Sequence, residues 1–220
     1  MLFKRSDKPL EMPTRENALP DREEPIDFSP LHFVSGRRIA EPMPAQLARA
    51  VFGLGCFWGA ERLFWQLPDV YSTAAGYAGG LTSNPSYADV CSGLTGHTEV
   101  VLVYYNPAEI SYQQLLATFW ESHDPTQGLR QGNDMGSQYR SAIYTTSAPQ
   151  LTDAKNSSRQ FQSALSEKNF SAITTEIRAL EEFFYAEDHH QQYLAKNPGG
   201  YCGLAGTGGS YQQRLNAGQL

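Results

Sequence analysis

Three cysteines, Cys56, Cys91 and Cys202, are the residues of this chain best suited to covalent chemistry. The thiolate is the reactive form of cysteine, so the question for each is what sets its pKa. Cys56 lies in Gly55-Cys56-Phe57-Trp58-Gly59, after an apolar run and before a helical pattern. The free N–H groups of a helix's first turn favour negative charge and lower a thiol's pKa. Two readings of this segment stand side by side: an activated nucleophile, or a packing cysteine at the start of a helix. Phe57 and Trp58 favour the first, because large aromatics beside a nucleophile can line an apolar pocket and contact sulfur. Phe64 and Trp65 read as ordinary core. The polar, glycine-rich stretch 123–140 is a second candidate, since long loops of that kind tend to bind or catalyse.

The surrounding elements must deliver these groups. Ala48–Leu54 predicts a strand that stops at Gly55, and 57–65 predicts a helix ending before Pro68. Further strands are expected at 70–77, 97–105, 139–145 and 173–177, and helices at 111–121, 151–165 and 186–195. A short strand is expected at 31–34. The pattern implies an α+β fold, a two-layer ferredoxin-like sandwich with helices against a mixed β-sheet. Residues 1–45 are rich in proline and charge and read as an irregular N-terminal arm. Residues 46–200 form the catalytic domain, and 201–220 a flexible Gly-rich tail rather than core.

The net charge of −6, with no basic stripe, argues against nucleic acid and anionic membrane as partners. No apolar run reaches the roughly 20 residues that span a bilayer. The N-terminus lacks a signal peptide's apolar region, so the cytoplasm is the expected compartment and a monomer the default state. Three scattered cysteines make neither a disulfide framework nor a zinc knuckle, so no metal is expected.

Six motifs in order carry a resemblance. They are Gly55-Cys56-Phe57-Trp58-Gly59, Gly76-Tyr77-Ala78-Gly79-Gly80, Asn84-Pro85-Ser86-Tyr87 and Val90-Cys91-Ser92-Gly93 with Gly96-His97-Thr98-Glu99. Gln131-Gly132-Asn133-Asp134 with Gln138-Tyr139-Arg140-Ser141 follows, then Ala186-Glu187-Asp188 with His190-Gln191-Gln192-Tyr193-Leu194. From about residue 50 to 204 the chain resembles the A-type peptide-methionine sulfoxide reductases. Reversal of methionine oxidation is the established work of that class.

The resemblance implies reduction of the S epimer of methionine sulfoxide, free or in proteins. Cys56 would attack the sulfoxide sulfur, and Phe57 and Trp58 would hold the S-methyl group. Glu99, with Tyr87 and Tyr139, would surround the sulfoxide oxygen, and Asp134 and His190 would lie around the substrate's backbone. A buried carboxyl of raised pKa could protonate that oxygen. On strand alternation alone, however, Glu99 reads better as a solvent-facing carboxylate. Cys56 would become a sulfenic acid and condense with Cys202 in the tail. Thioredoxin, or dithiothreitol in its place, would reduce the resulting disulfide, with no other cofactor. Cys91 reads as packing. Ser210 stands where some relatives carry a further redox cysteine, so a relay beyond Cys202 is not expected. Two alternatives are an acyl-transfer hydrolase using Cys56, His190 and Asp188 or Asp134, and a sensor of oxidised methionine that does not turn over.

Overall fold

The computed structural model describes residues 10–211. Its strands form where apolar residues run almost unbroken. β1 (Ala48–Leu54), β2 (Val70–Ala78) and β3 (Thr98–Tyr105) are buried over nearly their whole length. α1 (Phe57–Trp65) follows β1. α2 (Tyr87–Cys91) and α3 (Tyr112–Ser122) each begin at a serine in a capping box, with Asp89 and Gln114 reaching back from the third position. A two-residue hairpin, β4 (Arg130–Gln131) with β5 (Asp134–Met135), interrupts the polar loop. Then come β6 (Ser141–Thr145), α4 (Ala148–Glu167), β7 (Glu176–Ala179), β8 (Phe183–Tyr185) and a single turn, α5 (Tyr193–Lys196).

Six strands make one mixed sheet in the order β7-β6-β1-β3-β2-β8. Only β6 and β7 run parallel. The helices cover one face, where Phe52, Val103 and Ile143 meet Phe64, Leu115, Trp120 and Phe161. The opposite face, with Val51, Val100, Leu102 and Tyr144, is covered by Phe28, Ile39, Met43 and Leu180. The described part of the N-terminal arm therefore seals the sheet's second face. No helix among the described residues is long and apolar enough to cross a membrane.

Four expectations need correction. The strand at 31–34 is a turn closed by one bridge, Leu31 to Arg38. The strand expected at 173–177 begins three residues later, because Thr174 N–H and Oγ1 both donate to Pro125 O. The helix expected over 186–195 forms only at Tyr193–Lys196, since Gln192 adopts a left-handed backbone (φ 47°) that no helix accommodates. The segment after residue 200 is not separate from the core. Leu204 packs on it and Tyr211 is buried within it; residues 1–9 and 212–220 lie outside the described residues.

Candidate active site

Gly55 (φ +95°) turns the chain between β1 and α1, where a Cβ would come within 2.7 Å of the Gln131 side chain. The turn leaves Cys56 as the N-cap of α1, half-buried and a free thiol. The expected lowering of its pKa is overturned. Burial and then the charge of Glu99 push the thiol well above its ordinary value, outweighing hydrogen bonds from the Trp58 and Gly59 N–H groups. Both causes favour the neutral thiol.

Glu99 is buried, not solvent-facing. Along β3 it shares the side of Val101, Val103 and Tyr105, which is the helix-covered face. Its Oε2 accepts the Phe57 N–H at 2.9 Å. The carboxylate therefore lies against the first turn of the helix that Cys56 opens. Tyr87 and Tyr139 belong to the same pocket. Burial and then Glu99 push both phenols up from their ordinary range, so both are neutral donors. The Tyr87 side chain is hydrogen-bonded to Cys91, one turn along α2.

An aromatic wall stands beside them. The buried Phe57 ring lies 5.3 Å from His190, 5.8 Å from Tyr77 and 6.4 Å from Tyr87. Trp58 stacks on Tyr193 at 3.9 Å and donates through Nε1 to His190 Nδ1 at 3.1 Å. Burial lowers the His190 pKa to about 4, so the ring is neutral. With Nδ1 accepting, its proton sits on Nε2, which is buried and lacks a protein partner. Tyr77 and Tyr193 were not read from the sequence as site residues. Neither was Glu187, which accepts from Tyr77 OH at 3.0 Å and from Tyr87 N–H at 2.7 Å. Their only sequence signal was membership of the motifs around Gly76 and His190.

Asp134 sits half-buried on β5; burial raises its pKa, against a hydrogen bond from Tyr201. The exposed Cys202 follows Tyr201. A Cβ on Gly59 would come within 2.8 Å of Cys202 Sγ and 3.2 Å of Leu204. The second thiol thus rests on the first turn of α1, close to where Cys56 starts it. Ser210 Oγ donates to Glu121 at 3.2 Å on α3. Asp188 accepts from Ser29 N–H and pairs with Lys196, so it does not orient His190. Among the described residues no cluster of His, Cys, Asp and Glu is arranged to hold a metal. A cavity of about 670 Å³ between β7, β8 and the start of α4 contains none of these groups.

A family model described as peptide methionine sulfoxide reductase matches residues 48–216. A peptide methionine sulfoxide reductase MsrA of Saccharophagus degradans is 58% identical over 207 residues, covering 94% of this chain and 96% of the relative. The solved methionine sulfoxide reductase A of Corynebacterium diphtheriae superposes with a TM-score of 0.82 at 42% identity, over 87% of this chain and 93% of that one. A more distant solved chain is Mxr1 of Saccharomyces cerevisiae in complex with Trx2, with TM-score 0.50 and 23% identity, over 70% and 89% of the two chains. The motifs, the fold and these likenesses agree, and the chain belongs to the peptide methionine sulfoxide reductase family.

Proposed function

We propose that this reductase acts on the S epimer of methionine sulfoxide through Cys56, with Glu99 as proton relay and Cys202 as resolving thiol. The observation that carries the reading is the Glu99 carboxylate on the Phe57 amide, beside a thiol whose pKa burial and then the Glu99 charge raise. As Cys56 Sγ attacks the sulfoxide sulfur, its proton passes to Glu99 and from there to the departing oxygen. Burial is the larger cause of the thiol's high pKa, but neutralising Glu99 removes the second, its charge, so proton transfer and nucleophile formation are coupled. The attack makes a bond between Sγ and the substrate sulfur. As the protonated oxygen moves from that sulfur to Sγ, the S–O and Sγ–S bonds break and an O–Sγ bond forms. Cys56 becomes a sulfenic acid, and methionine leaves with the electron pair on its sulfur. Tyr87 and Tyr139, as neutral phenols, donate to the oxygen as its charge develops.

Phe57 and Trp58 take the S-methyl group in this reading. The unpartnered His190 Nε2–H supports a role in holding a substrate carbonyl, with Asp134 on the peptide's amide side. Cys202 then attacks the sulfenic acid, releasing water and forming a disulfide. A dithiol reductant closes the cycle. Thioredoxin is the partner we assign, supported by the exposure of Cys202 and by the solved complex of yeast Mxr1 with Trx2. With Ser210 in place of a third thiol, the reductant acts on Cys56–Cys202 directly.

The same reading keeps an arm to residue 45, a catalytic domain over 46–200 and a tail carrying Cys202. The order β6-β1-β3-β2, antiparallel throughout, supports a ferredoxin-like core. A monomer in the cytoplasm is consistent with one chain holding the whole set and with three cysteines that form no disulfide among the described residues. The hydrolase reading is disfavoured because His190 Nδ1 is taken by Trp58 and, among the described residues, no carboxylate is hydrogen-bonded to the ring. Mass and thiol count after one equivalent of a methionine-sulfoxide peptide test the proposal. One methionine formed and two thiols lost to a Cys56–Cys202 bridge are expected. Native-rate reduction by Cys56→Ser overturns it.

A further inference from the structure

The helix that presents Cys56 carries a second buried carboxylate. Glu61 is fully buried and accepts three hydrogen bonds. Gln192 N–H reaches Oε2 at 2.7 Å, Gln192 Nε2 reaches Oε1 at 2.6 Å, and Thr73 Oγ1 reaches Oε1 at 3.1 Å. Two of these donors extend the chain of contacts to the arm. Gln192 Oε1 accepts the Phe33 N–H at 2.8 Å. Thr73 Oγ1 contacts His32 Nε2 at 3.2 Å. Since His32 Nδ1 accepts from Val34 and Ser35 N–H, Nε2 carries the proton and donates to the hydroxyl. One carboxylate on α1 thus ties together the arm, β2 and the turn before α5.

That turn bears on the site. Gln192 holds a left-handed backbone, uncommon for a residue with a side chain. Its amide N–H and its side chain are both fixed by Glu61. His190 and Tyr193, on either side, are the partners of Trp58. A buried carboxylate is costly unless its hydrogen bonds are made, and simple packing at this position needs no charge. Here the three hydrogen bonds of the carboxylate all come from donors, so the polarity is matched to an acceptor.

We propose that Glu61 is a positioning residue for the substrate wall: by clamping Gln192 it sets the turn that holds His190 and Tyr193 against Trp58, and it makes residues 32–33 of the arm part of the site's support. The proposal rests on the reading of Trp58 and His190 as the substrate wall.

The chemistry gives a polarity test. In Glu61→Gln the new NH₂ faces the Gln192 backbone N–H in the Oε2 position, where that bond is lost, or Gln192 Nε2 in the Oε1 position. Gln192 can turn its oxygen towards it, but then presents NH₂ to the Phe33 N–H, so one end of the clamp is lost either way. Adding Gln192→Glu restores acceptors towards both. KM for a methionine-sulfoxide peptide and the saturating first-turnover rate are measured with dithiothreitol as reductant. Glu61→Gln is expected to raise KM about fivefold, the scale of one lost hydrogen bond, with a smaller change in the first-turnover rate. Glu61→Gln/Gln192→Glu recovers most of that KM. Thr73→Val, which removes a single donor, raises KM by a smaller factor.

An unchanged KM in folded Glu61→Gln, or no recovery in the double variant, overturns the proposal. Should Glu61→Gln not fold, Thr73→Val carries the test, and an unchanged KM there overturns it. Trp58→Phe separates the two readings. If it leaves KM unchanged, the wall reading fails and the clamp falls with it. If it raises KM while Glu61→Gln does not, the clamp alone is wrong.

Discussion

Glu99 Oε2 accepts the Phe57 N–H at 2.9 Å, placing a buried carboxylate on the backbone of the residue that follows Cys56. Two opposed consequences follow from removing its charge. Glu99→Gln keeps the shape and abolishes the proton relay, so the first turnover with a methionine-sulfoxide peptide should fall by about 10²–10⁴, the usual worth of a general acid. The same change lifts a cause of the high Cys56 pKa. Alkylation of Cys56 by iodoacetamide at pH 8, followed by peptide mass, should therefore become faster. A variant that slows both reactions would mean that Glu99 only supports the fold.

The contact between Gly59 and Cys202 isolates the second half of the cycle. In Gly59→Ala the new Cβ occupies space within 2.8 Å of Cys202 Sγ and 3.2 Å of Leu204. Alanine is the better helix former by about 1 kcal/mol, so α1 itself should not weaken. Methionine release in the first turnover should stay near the native rate while closure of the Cys56–Cys202 disulfide slows. Quenched samples would then accumulate sulfenic acid, trapped by dimedone and counted by mass. Equal closure rates in the two proteins would place the reactive position of Cys202 elsewhere.

Cys202→Ser should preserve that first turnover and abolish thioredoxin-driven cycling. Ser210 cannot substitute, since a hydroxyl does not exchange with a disulfide and its Oγ is engaged with Glu121. The converse change, Ser210→Cys, is expected to give no new disulfide with Cys202 unless the Tyr211 N–H bond to Glu121, 2.6 Å long, is released. Thiol counts before and after one equivalent of substrate distinguish these outcomes.

The start of α1 was legible because the sequence states it in adjacent residues: an apolar strand, Gly55, Cys56 and a helical run. What was illegible depended on contacts distant in sequence. Glu99 looked solvent-facing because alternation within β3 does not say that both faces of the strand are covered. Nothing in the sequence set Glu61 apart, and its partner Gln192 looked like part of a longer helix. The arm's proline and charge gave no sign that Ile39 would be fully buried against the sheet's second face. The thiol's pKa was misjudged for the same reason. The helix N-terminus is local and readable, whereas burial and the Glu99 charge come from the tertiary fold.

Acid should destabilise this fold through its buried histidines. Burial lowers His32, His123 and His190 each to about 4 from an ordinary 6.5. A histidine depressed in the folded state contributes stability that is fully present above pH 6.5. That contribution is lost as pH falls towards 4, because the unfolded chain binds the protons first. Glu61, raised to about 7 from 4.5, has the opposite sign: its folded form binds the extra proton between those values, so stability falls as pH rises through them. Burial lowers His97 and raises Asp134 as well, so four histidines stand against two carboxyl groups and leave a net loss on acidification, at about 1.4 kcal/mol per pH unit for each fully linked group. His123 offers the cleanest test. It is fully buried, with Nδ1 donating to Phe119 O at 2.8 Å and Nε2 lying 2.7 Å from Ser141 Oγ, whose hydroxyl the neutral ring accepts. Urea unfolding at pH 7.5 and pH 5.0 should show the native protein losing stability at the lower pH. His123→Gln should be less stable at pH 7.5 yet lose less between the two pH values. A variant with the native pH dependence would show that His123 is not among the groups responsible.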